Sequence, residues 1–158
     1  MAKEIERKFL VDASAWVPRD PGVHITQGYL CSDKAHVVRV RIEGPIVATL
    51  TIKGPTHGIT RSEFEYAIPV DDAAEMLASL CEQPLIDKHR HTETHGGHVW
   101  QIDVFHGVNE GLIVAEIELP AADVTPALPA WVSQEVSADP RYFNANLLAH
   151  PYSDWSVR

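Results

Sequence analysis

The sequence has little cysteine and no long apolar run. Cys31 and Cys81 are the only cysteines in 158 residues, which is too few for a disulfide scaffold and indicates reduced thiols. No apolar run approaches the roughly 20 residues that span a bilayer. The first residues are charged where a secretory signal would have its apolar core. We therefore expect a cytoplasmic protein that does not associate with membranes.

Cationic residues are also scarce. The chain has 13 Lys and Arg against 22 Asp and Glu, which gives a formal net charge of −9. This balance argues against general affinity for nucleic acids, although a local basic pocket remains compatible with it. Hydrophobic residues make up 45% of the chain, which is enough for a core and argues against wholesale disorder. The length suits one domain over residues 1–158.

Several familiar functional motifs are absent. The loop at 54–58 lacks the glycine spacing and the following Lys-Ser/Thr of a phosphate-binding loop, and no Gly-x-Ser-x-Gly segment occurs. Four histidines lie near the Gly-Gly turn at 96–97 with no cysteine beside them, so they fit no common zinc module and are expected at the surface. They are His89, His91, His95 and His98.

Alternation of residue types predicts about eight antiparallel strands joined mostly by tight turns. The strands are expected at residues 4–11, 24–30, 37–42, 47–53, 60–68, 85–94, 99–105 and 112–119. Helices are predicted at 71–80, with Asp71 or Asp72 as its N-cap, and at 12–16 and 141–148. Gly28 indicates a bulge or a close backbone approach within the second strand.

Nearly every predicted strand has one charged face and one apolar face. Like charges recur two residues apart, at Arg39/Arg41, Lys88/Arg90, Glu63/Glu65 and Glu116/Glu118. Such pairs repel each other, but clustered cations bind phosphates and clustered carboxylates bind Mg²⁺ or Mn²⁺. The simplest alternative is a sandwich with its charged faces in water.

A closed barrel with the charged faces inward explains these pairs better than a sandwich. Dry burial of so many charges would be prohibitive, so the barrel must hold water, ions and an anionic ligand. The expected fold is therefore mainly β with flanking helices, as a closed eight-stranded antiparallel β-barrel (a tunnel) with a charged, hydrated interior. Its apolar outer face needs helices or a second subunit to cover it, so a homodimer is expected.

These charged segments resemble the CYTH superfamily, also called the triphosphate tunnel metalloenzymes. Residues 4–8, Glu-Ile-Glu-Arg-Lys, match its ExExK signature. Later segments match in family order, namely Arg39-Val-Arg41, Thr51-Ile-Lys53-Gly54, Glu63-Phe-Glu65, Lys88-His-Arg90, Ile102-Asp103-Val104-Phe105 and Ala115-Glu116-Ile117-Glu118. The resemblance covers roughly residues 2–150 and is greatest to the small bacterial single-domain members. It implies an eight-stranded tunnel that binds a triphosphate and a divalent metal.

The resemblance also implies a role for each charged position. Phosphate contacts are expected from Lys8, Arg39, Arg41, Lys53, Lys88 and Arg90, with Arg61 as a further candidate. Metal ligands are expected at Glu4, Glu6, Asp103, Glu116 and Glu118, while Glu63 and Glu65 would serve a second metal or orient basic side chains. Glu4 and Glu6 would position water, and Lys8 or an arginine would contact the terminal phosphate. The Arg7 side chain is expected to point out of the barrel and to contribute least to the chemistry.

The expected activity is metal-dependent hydrolysis of a triphosphate, with inorganic tripolyphosphate as the substrate and one or two Mg²⁺ or Mn²⁺ ions as cofactor. An adenylate cyclase of the same fold, which converts ATP to cAMP, is the nearest alternative. Thiamine or nucleoside triphosphates are other possible substrates. A non-catalytic polyphosphate binder would have lost its metal carboxylates, which this chain retains, and a plain β-sandwich interaction module would bind no triphosphate tightly.

Overall fold

A computed structural model describes residues 3–155. The strands are β1 Lys3–Val11, β2 Val23–Ser32, β3 Val37–Glu43, β4 Val47–Lys53, β5 Thr60–Ala67, β6 Ile86–His95, β7 His98–Phe105, β8 Ile113–Glu118 and β9 Val132–Glu135. The α-helices are α1 Val70–Ser79 and α2 Asn146–Ala149, and 3-10 turns lie at Gly107–Asn109, Pro140–Tyr142 and Tyr152–Asp154. In the described part of the chain, no helix has the length and apolar character needed to cross a membrane.

Eight of the strands close into the predicted barrel. The sheet order is β5-β4-β3-β2-β6-β7-β8-β1-β9, with a further pairing between β5 and β1 that completes the ring. At the closure, Glu4 of β1 lies opposite Arg61 of β5, and on the other edge of β1, Lys8 lies opposite Glu116 of β8. All of these pairings are antiparallel. The chain therefore forms a closed barrel and not the alternative sandwich.

The ninth strand was not predicted from the sequence. β9 pairs with the C-terminal part of β1, where Phe9 lies opposite Glu135 and Val11 opposite Val132. One edge of β1 is therefore shared, with β5 beside its first residues and β9 beside its last. The strand has only four residues, which is too short for alternation to reveal it.

Apolar faces of the strands point outward, as the sequence predicted, and the described residues cover those of β1, β3, β7 and β8, whereas Phe64 and Tyr66 of β5 stay partly exposed. Trp100 packs on Phe9 and Trp131, with ring centroids 5.5 and 5.7 Å apart. Helix α1 places Leu77 against β3 and β4, and the C-terminal segment places Leu147 against β2, β6, β7 and β8. Two of the three hydrophobic clusters therefore lie outside the barrel wall. The third, around Leu147, contains Tyr29 and Val114, which share the inward strand phase of Gln27 and Glu116, so it fills one end of the barrel and leaves the rest of the interior to polar groups.

Two predicted helices differ from the structure. Residues 12–16 form a single turn, in which the Asp12 carboxylate accepts from the backbone N–H and hydroxyl of Ser14, as an N-cap does, and Trp16 N–H donates to the Asp12 carbonyl. The turn does not continue into a helix, and Pro18 follows two residues later. The helix expected at 141–148 is only a 3-10 turn and then α2, since Phe143 between them adopts an extended conformation. Helix α1 begins after Pro69 and has no side-chain cap, so the predicted aspartate N-caps were wrong.

Another part of the chain packs closely against Gly28, as predicted. A Cβ there would lie 2.8 Å from Cβ of Cys81 and 2.8 Å from Cδ2 of Leu85, so only glycine fits without a shift. The register of β2 against β3 then shifts between Tyr29 and Cys31, and this irregularity precedes the β2–β3 connection. Both cysteines are free thiols, as predicted.

Candidate active site

The barrel encloses a cavity of about 660 Å³. Alternation along β1 directs Glu4, Glu6 and Lys8 into this cavity. Arg7 points the other way, and its guanidinium pairs with the Glu135 carboxylate on β9 at 2.7 Å. Further charged side chains that line the cavity are Arg39, Arg41, Lys53, Arg61 and Glu116. The charged interior predicted from the strand pattern is therefore present.

Three carboxylates meet at a point where one of them, Glu4, lines the cavity. An oxygen from each of Glu4, Glu63 and Glu118 lies within 4.8 Å of the other two. Burial and the neighbouring Glu63 raise the pKa of Glu4, and burial and Glu4 raise the pKa of Glu118. Lys53 compensates in part, because its Nζ lies 2.8 Å from Glu4 and 3.3 Å from Glu63. We refer to Glu4, Glu63 and Glu118 together as the carboxylate group. The raised pKa values of Glu4 and Glu118 mean that nearby positive charge does not fully balance these two carboxylates. The carboxylate group therefore fits a divalent cation with oxygen ligands.

Glu6 adds a fourth carboxylate beside this group. It lies opposite Glu118 in the pairing of β1 with β8. Burial and the carboxylate of Glu116 raise the pKa of Glu6 to about 8. A carboxyl group with such a pKa exchanges protons near neutral pH.

Two arginines on β3, Arg39 and Arg41, carry positive charge that nearby carboxylates only partly balance. Arg41 Nε donates to the neutral Gln27 amide at 2.8 Å, and Arg39 Nη2 donates to the Thr51 hydroxyl at 3.1 Å. The Nε of Arg39 is buried and has no acceptor within residues 3–155. Burial and the charges of Arg39 and Arg90 lower the pKa of Arg41 to about 10. Their nearest carboxylates, which are partly exposed, are Glu65 and Glu43. This arginine pair lacks negative charge and fits an anion such as phosphate.

Lys8 is a buried cation between carboxylates. Its Nζ lies 2.9 Å from Glu116 and 3.9 Å from Glu6. Burial lowers the pKa of Lys8, but Glu116 and Glu6 raise it by more, so the ammonium stays charged. Glu116 also lies 3.5 Å from Arg90. Although burial raises the pKa of Glu116, Lys8 and Arg90 hold it well below the usual value.

Asp103 is surrounded by cations. Arg90 donates to both of its oxygens at 2.7 and 2.9 Å, and Lys88 Nζ donates to it at 2.8 Å. These cations outweigh burial and lower the pKa of Asp103 to about 2. Lys88 is fully buried, donates also to Asn144, and is absent from the cavity lining. Asp103 thus holds Lys88 and Arg90 in place, whereas the resemblance implied a metal ligand there.

Two further predicted residues lie at the edge of the site. Arg61 lines the cavity, but its guanidinium donates to the backbone oxygen of Gly54 at 2.7 and 3.0 Å. Glu65 lies near Arg39 with a side chain that is half exposed, at 48%. The structure therefore brings the predicted charged residues into one region, but with unequal access to the cavity.

Several polar residues of the site were missed in the sequence. Gln27 and Thr51 support the arginine pair, and only their inward strand phase could have indicated this. Asn144 accepts hydrogen bonds from Gln27 and Lys88. It lies within the helix predicted at 141–148, and that prediction gave no indication of a site residue there. Phe143 lines the cavity beside it.

The four histidines near the turn at 96–97 do not gather at the spacing of metal ligands among the residues described. His95 is exposed, as predicted. His91 is buried, and its Nδ1 lies 2.7 Å from Asp20 while its ring packs edge-on to Trp16. The surface prediction was therefore wrong for His91, because the segment before β2 covers it.

Comparison with known proteins places the chain in one family by sequence and finds the same fold in a related structure. A family model described as the CYTH domain matches residues 2–152. An inorganic triphosphatase of Acetivibrio thermocellus is 46% identical over 155 residues, which cover 98% of this chain and 99% of that protein. An inorganic triphosphatase of Nitrosomonas europaea is 35% identical over 152 residues, or 91% and 95% of the two chains. A crystal structure of the inorganic triphosphatase NE1496 superposes with a TM-score of 0.63 at 32% identity and covers 94% of this chain and 95% of that one.

Proposed function

The chain belongs to the CYTH family, and from this premise we propose that it is a metal-dependent hydrolase that converts inorganic tripolyphosphate to pyrophosphate and phosphate. The observation that carries the proposal is a double charge imbalance along one cavity, which Glu4 of the carboxylate group and both arginines line. The carboxylate group is only partly neutralised by Lys53, and the arginine pair only partly by Glu65 and Glu43. A complex of a divalent metal with a triphosphate corrects both imbalances at once. The names of the curated relatives support the same substrate.

The carboxylate group is the proposed metal site. Glu4, Glu63 and Glu118 would hold the ion, with Glu6 beside them. We propose Mg²⁺ or Mn²⁺, because both prefer carboxylate oxygens over nitrogen and sulfur. The bound ion would neutralise charge on the phosphate oxygens and act as a Lewis acid. Glu116 and Asp103 remain candidate ligands by resemblance, although their oxygens already contact Lys8, Lys88 and Arg90.

The basic side chains would hold the triphosphate. Arg39 and Arg41 offer planar guanidiniums that match phosphate oxygens. Further phosphate contacts are proposed, as the resemblance implies, from Lys53, Arg61, Lys88 and Arg90. Lys8 would contact the terminal phosphate. Phosphoryl transfer needs positioning and charge neutralisation more than covalent help. Glu4 and Glu6 would position the attacking water.

A substrate panel tests this function. Tripolyphosphate, ATP, thiamine triphosphate and pyrophosphate would be compared with Mg²⁺ or Mn²⁺, with both phosphate and cAMP measured. We expect kcat/KM to be highest for tripolyphosphate and phosphate release to stop when the metal is chelated. Formation of cAMP from ATP would favour the cyclase instead. Tight binding of tripolyphosphate without turnover of any substrate would favour the non-catalytic binder.

Metal binding is expected to strengthen as the pH rises. The raised pKa values of Glu4, Glu6 and Glu118 mean that protons compete with the metal in the acid range, and Glu6 loses its proton only near pH 8. Metal ligands must be deprotonated. Calorimetry without substrate should therefore show Mn²⁺ affinity about tenfold or more higher at pH 8.5 than at pH 6. An affinity that does not change over this interval would contradict the assignment of these carboxylates.

We also propose that the chain forms a homodimer in the cytoplasm. Each subunit would be a single domain over residues 1–158. Ile52, Phe64 and Tyr66 point outward from β4 and β5 and are 38%, 46% and 57% exposed. Neighbouring apolar side chains of this extent support a protein contact. Sedimentation velocity would test it, and a monomer at micromolar concentration would contradict the dimer.

A further inference from the structure

The connection between β2 and β3 carries a second group of metal-ligating side chains. Cys31 lies near the end of β2, and Asp33 and His36 follow it before β3 begins. The Sγ of Cys31 lies 3.4 Å from Nε2 of His36 and 3.6 Å from Oδ2 of Asp33. One donor atom from each residue lies within 4.8 Å of the other two. The proposed hydrolysis makes no use of this rim cluster, which we define as Cys31, Asp33 and His36.

The local fold holds the rim cluster in place. The register of β2 against β3 shifts between Tyr29 and Cys31, and Asp33 organises the turn that follows the strand. Its Oδ1 accepts hydrogen bonds from the backbone N–H groups of Ala35 and His36 at 2.8 and 2.9 Å. Its Oδ2 lies toward the thiol. The donor atoms are therefore brought together by backbone geometry, which lowers the cost of ordering them around a ligand.

We propose that Cys31, Asp33 and His36 bind one Zn²⁺ ion with a fourth coordination position left open. Tetrahedral zinc with Zn–S near 2.3 Å and Zn–N near 2.0 Å places its sulfur and nitrogen ligands about 3.5 Å apart. The 3.4 and 3.6 Å separations around Sγ match that spacing. A thiolate and an imidazole favour zinc over magnesium or manganese. On binding, the thiol loses its proton to solvent and a sulfur–zinc bond forms.

The rim cluster differs from the carboxylate group in both chemistry and place. The carboxylate group offers oxygen alone, whereas the rim cluster offers sulfur, nitrogen and oxygen. Asp33 and its neighbours Ser32 and Lys34 line the same cavity as Lys8 and Arg39. A zinc ion here would place positive charge, with an open ligand position, at the edge of the anion site.

Cobalt titration of the full chain tests the proposal, because Co²⁺ bound to a thiolate gives a charge-transfer band that oxygen ligands do not give. We expect this band to saturate at one equivalent per chain and to disappear when Zn²⁺ is added. Cys31→Ser should abolish it, and His36→Ala should weaken Co²⁺ binding about tenfold or more. Cys81→Ala is the matched control, since Cys81 is buried beneath Gly28, and this variant should keep the band.

Two further variants separate the rim cluster from the carboxylate group. Glu4→Gln should leave the cobalt band unchanged even where it abolishes hydrolysis, so failure of one site does not imply failure of the other. Asp33→Asn should weaken the band and serves if Cys31→Ser fails to fold by circular dichroism. No band in the wild-type chain, or a band that survives Cys31→Ser, would overturn the proposal.

Discussion

Lys8→Met is expected to lower kcat/KM for tripolyphosphate by on the order of 10²–10³-fold. The Lys8 ammonium lines the cavity, and its pKa is held high by Glu116 and Glu6 despite its burial. Methionine keeps most of the side-chain volume but removes the charge, so the barrel wall should keep its packing. A phosphate that develops charge in the transition state would lose one fixed cation whose side chain is buried in the barrel wall, where charges interact more strongly than in bulk water. Steady-state kinetics at saturating metal would measure the loss.

Arg7→Met is the matched control for this variant. Arg7 is the next residue on the same strand, but its guanidinium pairs with Glu135 on β9, outside the cavity. Exposed ion pairs contribute only about 0–1 kcal/mol, so kcat/KM should change by less than about twofold. Equal losses in the two variants would show that the strand is sensitive to any change of charge. In that case Lys8 would have no special role.

The positions of Lys8 and Arg7 were predictable because they depend on strand period alone. Once β1 is a strand, neighbouring side chains point to opposite faces, and the later like-charge pairs indicate which face is enclosed. The same reasoning placed Arg39 and Arg41 correctly in the cavity. Local alternation thus predicted the barrel and most of its charged lining.

The contacts between strands far apart in the sequence were not predictable in the same way. The approach of Glu63 to Glu4 depends on the register in which β5 closes on β1, and no local pattern encodes that register. Asn144 enters the site from a segment that leaves helical geometry at Phe143. Asp103 resembles a metal ligand in sequence, and only the fold reveals that Lys88 and Arg90 both donate to its oxygens.

Glu4→Gln is expected to reduce turnover at a fixed metal concentration by on the order of 10²-fold. Glu4 lies in the carboxylate group with Glu63 and Glu118, so an amide there removes a charged ligand while it keeps the side-chain shape. Lys53, which lies 2.8 Å from Glu4, would lose its closest carboxylate and keep only Glu63 at 3.3 Å, which leaves its positive charge less compensated beside the metal. Both effects weaken metal binding, so the metal concentration for half-maximal activity should rise and excess Mn²⁺ should restore part of the rate.

Glu135→Gln is the control for Glu4→Gln, because it removes the same charge from β9 outside the cavity, where Glu135 pairs with Arg7. This variant should need no more metal than the wild-type chain. If Glu4→Gln lowers the rate without any change in the metal requirement, Glu4 positions water and does not bind the ion. If the metal requirement rises and excess Mn²⁺ restores the rate, metal binding is its main role. The metal titration therefore distinguishes the two roles that the resemblance assigns to Glu4, which a rate at one metal concentration does not do.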